Sequence, residues 1–327
     1  MIIVIHENKE WMPPFEKAFK ELNIEYSFWY MPEMSINFSD QPPAAVFYNR
    51  MSASSHSRGH RFEPEITIGV LSWLERHKRI VVNGSRALDL EISKLRQYQE
   101  LEKHNIRTPR TFATINKKDL LDGANEIGFP LITKHNRAGK GLGVYRFENL
   151  SELANHLESE MFEDSPDGIT LIQEYINAPS NTITRMEFIG GKFLYAVEVD
   201  TTQGFKLCPA DDCSVDTVSP KGDFSKFKVL NNFSLPNMDD YESFLATNSI
   251  GVAGIEIIID SNNVAWTYDV NTNTNYNAEA EHAANQSAPQ SLVKYLQSLV
   301  IRTGNNNKVV SFLNYWRKNS SQMASTK

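Results

Sequence analysis

Short apolar strands alternate with amphipathic helices through residues 1–85, and that alternation calls for a parallel sheet with helices on its faces. Ile2–Ile5 is β-branched and ends at polar His6-Glu7-Asn8. Pro13-Pro14 opens a helix whose Phe15, Ala18, Phe19 and Leu22 recur at spacings of three and four. Tyr26–Tyr30 and Ala44–Tyr48 read as strands, Thr67–Arg76 as a helix, and Arg79–Val82 as a strand stopped by Asn83-Gly84. Beyond residue 85 the pattern changes. A helix over Leu88–His104 leads to Pro109, a strand at Arg110–Thr114 and a helix at Lys117–Ile127. Leu131–His135 and Val144–Phe147 are strands flanking a Gly-rich loop, Ser151–Glu160 is a helix and Ile169–Ile176 a strand. Gly190-Gly191 joins Thr182–Ile189 to Lys192–Asp200, and Ser261-Asn262-Asn263 joins Gly254–Asp260 to Val264–Val270, which predicts two hairpins. The expected fold class is therefore α/β followed by α+β. The expected units are a small parallel-sheet domain over 1–85, a larger domain over 86–304 divided into parts at about 106–176 and 177–304, and a helix with a polar tail over 305–327.

Composition narrows the function classes. A chain of 327 residues with 41% apolar and 22% charged residues is neither disordered, collagen-like nor a coiled coil. No run approaches the roughly 20 apolar residues of a membrane helix, so no membrane partner is expected. The start MIIVIHENKE has no basic region and no small-residue cleavage site, and reads as a first strand. Two Cys in so long a chain fit a reducing cytoplasm. A net charge of −7 argues against an extended nucleic-acid surface.

Two segments carry chemistry. In Thr133–Val144, glycines at Gly139, Gly141 and Gly143 let backbone N–H groups fold over an anion, with Lys134, Arg137 and Lys140 supplying charge. It is not a Walker A loop, because Gly141 follows Lys140, nor a dinucleotide fingerprint, because a strand follows. Alone, it favours a phosphate cradle only slightly over a solvated surface hairpin. In the second segment, Glu256 lies in an apolar strand, facing away from Ile255 and Ile257, while Asp269 and Asn271 share one face of theirs. Paired across the hairpin, these oxygens converge. Unpaired buried carboxylates are costly, so a cation should share the site, and hard oxygen donors suit Mg²⁺. The competing reading is a solvent-exposed hairpin face.

In order, Lys94, Lys134, the Gly-rich loop, Gln173-Glu174-Tyr175-Ile176, Arg185, Glu256 and Asp269-Val270-Asn271 resemble an ATP-grasp ligase of the RimK-like and glutathione-synthetase-like branch. Tyr48-Asn49-Arg50-Met51-Ser52 and Asn105–Thr111 extend the likeness, which covers about residues 45–285. The resemblance implies an ATP-grasp fold preceded by a small Rossmann-like domain, with ATP and Mg²⁺ as cofactors and Mn²⁺ as the alternative ion. It implies Lys94 and Lys134 on the α/β-phosphates and the backbone of Arg137–Gly143 as a lid. Gln173, Glu174 and the Tyr175-Ile176 backbone would receive adenine. Glu256, Asp269 and Asn271 would hold the metal. Arg185, beside the γ-phosphate, joins Lys134 and Arg50 as catalytic candidates, and Arg50, Arg185, Asn273 and Asn275 would face substrate. Homodimers are common among such relatives. Where the family usually has Asp and Glu, this chain has Glu256 and Asp269, a reciprocal exchange. Ile183 stands where an acid is usual, and Thr272–Asn277 departs from the family's small residues and Pro-Gly.

The reaction this implies is ADP-forming carboxylate–amine ligation through an acyl-phosphate, between a small carboxylate donor and an amine acceptor. A nucleotide-binding sensor without turnover, or a phosphotransferase, are the alternatives. Among weaker signals, His56, Arg58, His60 and Arg61 accompany Arg50 in NRMSASSHSRGHR, which reads equally as an anion-capturing loop and a solvated linker. Cys208 and Cys213 read as free thiols, and Asp211 and Asp212 as attractors of a cationic acceptor. His135 is expected on the strand face opposite Lys134, and Trp266, Tyr268 and Ile257–Ile259 are expected to fill the core.

Overall fold

The computed structural model describes residues 1–139, 141–202, 226–230 and 232–301. Lys140, the Cys208–Cys213 segment with Asp211 and Asp212, and the terminal stretch 305–327 lie outside the described residues.

The N-terminal sheet comprises β1 (Ile2–His6), β2 (Tyr26–Tyr30), β3 (Val46–Arg50) and β4 (Ile80–Val82), all parallel in the order β2-β1-β3-β4. Every residue of β1 is buried because both faces are covered. Ile2 and Val4 meet Phe15, Ala18 and Phe19 of α1 (Pro13–Glu21), whereas Ile3 and Ile5 meet Val70, Leu71 and Leu74 of α2 (Glu63–Arg76).

The expected continuous helix over Leu88–His104 is instead two, α3 (Ser85–Glu91) and α4 (Lys94–Lys103). The chain breaks at Ile92-Ser93, where Ser93 caps α4 and Asn136 Oδ1 accepts from Leu95 N at 2.9 Å. The break sets Lys94 at the start of a helix, against the loop that follows Leu131–His135.

A four-stranded antiparallel sheet follows, of β5 (Thr111–Thr114), β6 (Leu131–His135), β7 (Tyr145–Phe147) and β8 (Thr170–Glu174), in the order β5-β8-β6-β7. Helices α5 (Leu120–Ile127) and α6 (Leu150–Glu158) cover its outer face through Leu120, Ala124, Leu153 and Leu157.

The largest sheet is antiparallel, in the order β11-β10-β9-β12-β13. Its strands are β9 (Thr182–Ile189), β10 (Lys192–Asp200), β11 (Phe227–Leu230), β12 (Val252–Ile259) and β13 (Ala265–Asn271). Met186, Phe188, Ile255 and Ile257 pack on Tyr98 and Leu101 of α4 and on Tyr241 and Phe244 of α7 (Met238–Thr247). The short α8 (Ala278–Ala283) and a helix over 288–301 complete the described chain. The opposite face of this sheet, the inner side of the second sheet and the carboxyl end of β3 enclose one cleft. Trp266 does not fill the core, whereas Tyr268 and Ile258 pack against the cluster of Ile183, Tyr195 and Val197 at its edge. Trp266 is half-buried with its indole N–H on Asp260, and Tyr268 and Ile258 line the cleft.

Candidate active site

Three strands set the acidic end of the cleft. Glu256 on β12 lies opposite Arg185 on β9 and Asp269 on β13, and Gly254 lies opposite Asn271. Ile255 and Ile257 are fully buried in the core, so Glu256 faces the cleft as alternation requires. A bulge after Glu256 pairs Ile257 with Thr267 and leaves Tyr268 as the extra residue. That bulge brings Tyr268 and Asp269, although adjacent, into the same cleft with Asn271.

Each carboxylate already holds a cation. Arg185 Nη1 donates to Glu256 Oε1 at 3.0 Å, and Lys94 Nζ donates to Asp269 Oδ1 at 3.0 Å and to Ala138 O at 3.0 Å. The sequence predicts a cation sharing the site with these acids, and two basic side chains do so in this structure. Burial still pushes the Glu256 carboxyl up; Arg185 opposes that and Asp269 adds to it. Among the described residues no group of three or more His, Cys, Asp or Glu side chains is placed to hold a metal. Two carboxylates and an amide oxygen on one cleft wall nonetheless fit a hard divalent cation whose remaining ligands come from phosphate or water.

Lys134 is 3% exposed. Its Nζ donates to Tyr268 O at 3.3 Å and lies 5.3 Å from the Tyr98 ring, and no described carboxylate forms an ion pair with it. Burial, reinforced by the charge of Lys94, pulls its pKa down to about 7. A buried ammonium without an anionic partner is a prepared anion site.

At the other end, Gln173, Glu174, Tyr175 and Ile176 line the cleft where β8 runs out. Gln173 Nε2 donates to Thr111 Oγ1 at 2.7 Å, Glu174 Oε1 accepts from Arg110 N at 2.7 Å, and Arg146 stacks on Tyr175. Gly139 and Gly141 of the Gly-rich loop line it, with Leu142 and Val144. Gly143 does not, because it sits on the His135 ring, where a Cβ would lie 2.5 Å from Nε2. His135 itself reaches the cleft and contacts Glu163 O at 2.9 Å. Arg137 is turned away: its Nη1 donates to Glu65 Oε1 of α2 at 2.7 Å, which removes its side chain from the phosphate cradle. Ile183 lines the cleft and packs with Tyr195 and Val197.

From the N-terminal sheet, Arg50 is 1% exposed. Its Nη2 donates to Asn275 Oδ1 at 2.8 Å and its guanidinium stacks 4.1 Å from the Phe15 ring, while Nε and Nη1 have no hydrogen-bond partner among the described residues. Asn273 and Asn275 line the cleft, and both side-chain polar atoms of Asn273 are buried without a hydrogen-bond partner among the described residues. Arg50 itself does not line the cleft. The other basic residues of its loop are committed elsewhere: Arg58 to Glu7 at 2.6 Å, His60 to Glu63 at 3.1 Å, His56 to Ala53 O at 3.2 Å, and Arg61 to Glu65 at 3.1 Å and to Pro166 O.

Two acids escaped the sequence reading. Glu91 takes part in the cleft wall and binds Ala53 N at 3.2 Å, Thr272 N at 2.6 Å and Thr272 Oγ1 at 3.0 Å. Its place on the buried stripe of α3, beside Leu88 and Leu90, was the available signal. Glu187 lies two residues past Arg185 on a strand half of whose residues are polar, so it carried a weaker form of the signal that marked Glu256.

Residues 92–206 match the family model of the RimK-like ATP-grasp domain. The chain is 27% identical over 196 residues to a D-alanine–D-alanine ligase of Pseudomonas fluorescens (strain Pf0-1), a match covering 58% of this chain and 56% of that ligase. It is 35% identical over 104 residues to the alpha-aminoadipate–LysW ligase LysX of Sulfolobus acidocaldarius, 32% of this chain and 38% of that one. The chain thus spans about half the length, or less, of these relatives. Among solved structures, the ATP-grasp ligase PsnB, complexed with a minimal precursor, superposes with a TM-score of 0.64 at 16% identity over 91% of this chain and 98% of PsnB. The D-cycloserine synthetase DcsG gives 0.63 at 12% identity, over 92% and 99%. The fold is that of the ATP-grasp enzymes.

Proposed function

We infer that this chain, an ATP-grasp protein with a RimK-like domain, is an ATP-dependent, ADP-forming carboxylate–amine ligase. The observation that carries the reading is the row Arg185–Glu256–Asp269–Lys94, with Lys134 beside it, along one wall of the cleft. Phosphoryl transfer is catalysed mainly by positioning and charge neutralisation, and this wall offers both signs of charge within hydrogen-bond reach. Lys94 and Lys134 meet the phosphates as point charges. Gln173, Glu174 and the backbone at Tyr175-Ile176 receive the base. Glu256, Asp269 and Asn271 would hold Mg²⁺, which would neutralise the phosphates and supply Lewis acidity. The backbone at Gly139, Gly141 and Leu142, which lines the cleft, closes over the nucleotide as a lid of the domain at about 86–304.

A carboxylate is a poor electrophile, and its phosphorylation supplies the leaving group that an amine displaces as an amide forms. The acceptor must be neutral. At pH 7 an α-amino group with pKa about 8 is neutral roughly one time in ten, far more than a Lys side chain. The acceptor is therefore an α-amino group of an amino acid, peptide or protein, and the donor an amino acid or small carboxylic acid. Asn273 and Asn275, which line the cleft, face that substrate, and Arg50, whose guanidinium fork matches a carboxylate, stands behind them on Asn275. The D-alanine–D-alanine ligase and LysX resemblances support amide formation as the reaction class. A phosphate-release screen of amino acids and dicarboxylic acids, singly and in pairs with ATP and Mg²⁺, tests it. Product amides detected by mass spectrometry support the ligase. Nucleotide binding without turnover in every pair, or a stable phosphorylated product without an amide, refutes it.

A further inference from the structure

We propose that Glu187, with Thr274, is a positioning residue that holds Arg185 in place for phosphoryl transfer, an inference that rests on the ligase reading above. Arg185 and Glu187 are two apart on β9 and so share a face. Glu187 is 2% exposed and does not line the cleft; it stands behind Arg185. Arg185 Nε donates to Glu187 Oε1 at 2.8 Å, and Nη2 donates to Thr274 Oγ1 at 2.5 Å. Thr274 Oγ1 donates in turn to Glu187 Oε2 at 2.9 Å. Both carboxylate oxygens, two guanidinium nitrogens and one hydroxyl thereby close a ring that clamps one edge of the guanidinium. The remaining nitrogen, Nη1, meets Glu256.

The two acids on Arg185 are not equivalent. Glu256 faces the cleft, next to Asp269, and any cation or phosphate entering there competes for it. Glu187 and Thr274 are out of reach of that competition. Were Glu256 to hold a metal ion, Arg185 would keep its Nε and Nη2 partners and would present Nη1 to the reacting oxygens. Without the clamp, Arg185 would follow Glu256 or swing freely.

Replacing a whole buried ion pair by apolar residues of the same volume is often neutral, whereas removing one partner is strongly destabilising because the other charge is left uncompensated; with Glu187 changed, Arg185 still holds Glu256. Met186 and Phe188, on either side of Glu187, show what this strand buries on its other face. The neighbouring strand also makes room for the clamp. Gly254 lies opposite Glu187, and a Cβ there would come within 2.7 Å of Arg185 Nε and Nη2 and 2.9 Å of Thr274 Oγ1.

The test uses the full chain and the variants Glu187→Gln, which keeps the size and removes the charge, and Glu187→Asp, which keeps the charge. Binding of MgADP and of a Mg-bound non-hydrolysable triphosphate is measured by calorimetry, with melting temperatures and steady-state kinetics alongside. The expected result for Glu187→Gln is a kcat about 10–100-fold lower, the usual cost of losing a supporting partner. Triphosphate affinity weakens several-fold, whereas MgADP affinity holds. Glu187→Asp recovers part of kcat, and Glu187→Gln in an Arg185→Lys background has little further effect. If the wild-type chain turns over but Glu187→Gln keeps its kcat and triphosphate affinity, or loses MgADP affinity in step with kcat, Glu187 is only structural and the inference falls alone. If the wild type binds no nucleotide, the ligase reading fails and takes this inference with it.

Discussion

Lys134 offers a quantitative test of the phosphate site, because its pKa of about 7 in the ligand-free protein places a proton at stake at neutral pH. Phosphate oxygens arriving beside Nζ restore the pKa towards the ordinary lysine value. Binding is then coupled to proton uptake, and the sign follows: affinity is full below pH 7 and is lost as pH rises through the free-state pKa. With a free-state pKa of about 7, mass action gives an uptake of about 0.1 proton per site at pH 6, about 0.5 at pH 7 and about 0.9 at pH 8. Above pH 8 affinity falls about tenfold per pH unit, or about 1.4 kcal/mol. Calorimetric titration with MgADP at each pH, in two buffers of different ionisation heat, reads the uptake directly. Lys134→Met abolishes it. An uptake near zero at pH 8 in the wild type, or one that survives in Lys134→Met, would refute the assignment of Lys134 to the phosphates.

Other side chains make separate predictions. Arg137→Met leaves MgADP affinity within about threefold and costs at most about 1 kcal/mol of stability, since its partner Glu65 is 47% exposed and solvent screens the pair; a large loss of affinity would return Arg137 to the phosphate cradle. Arg50→Ala raises the donor KM at least about tenfold, the scale of losing a charged hydrogen bond, without changing nucleotide affinity, and an unchanged KM removes Arg50 from the substrate site. Asn83→Ala is strongly destabilising, by about 3 kcal/mol or more, because buried backbone groups lose their partners. The Asn83 side chain donates to Val252 O and Thr272 O at 2.8 Å and accepts from Gly251 N and Val252 N at 2.9 and 3.1 Å, tying the first sheet to the last. A denaturant midpoint within experimental error of wild type would show that this tie is dispensable.

How much of this was legible in the sequence depends on the range over which each feature is encoded. Strand alternation is local, and β6, β9 and β10 fall on Leu131–His135, Thr182–Ile189 and Lys192–Asp200 as the residues suggest. The same alternation turns Glu256, Asp269 and Asn271 to one cleft. The bulge that adds Tyr268 to them has no local marker, because it depends on the register between two strands. The split of one expected helix into α3 and α4 is set by Asn136, a residue 43 positions from Ser93, so periodicity alone ran through the break. Arg137 looked like a phosphate ligand from its neighbours, but Glu65, 72 residues away, claims it. Glu187 was readable by the logic applied to Glu256, yet Arg185 two residues earlier made the strand look polar on that face. The six-residue α8 is too short for its periodicity to stand out.

The central claim, that one cleft wall brings a metal ion and a triphosphate together, is tested most directly by a crystal structure of the full chain grown with Mg²⁺ and a non-hydrolysable ATP analogue. The account predicts Mg²⁺ on oxygens of Glu256, Asp269 and Asn271, with Lys94 Nζ and Lys134 Nζ on phosphate oxygens. A nucleotide seated elsewhere, or one whose phosphates leave Lys94 on Asp269 and Arg185 on Glu256 with no metal between the two acids, would contradict it.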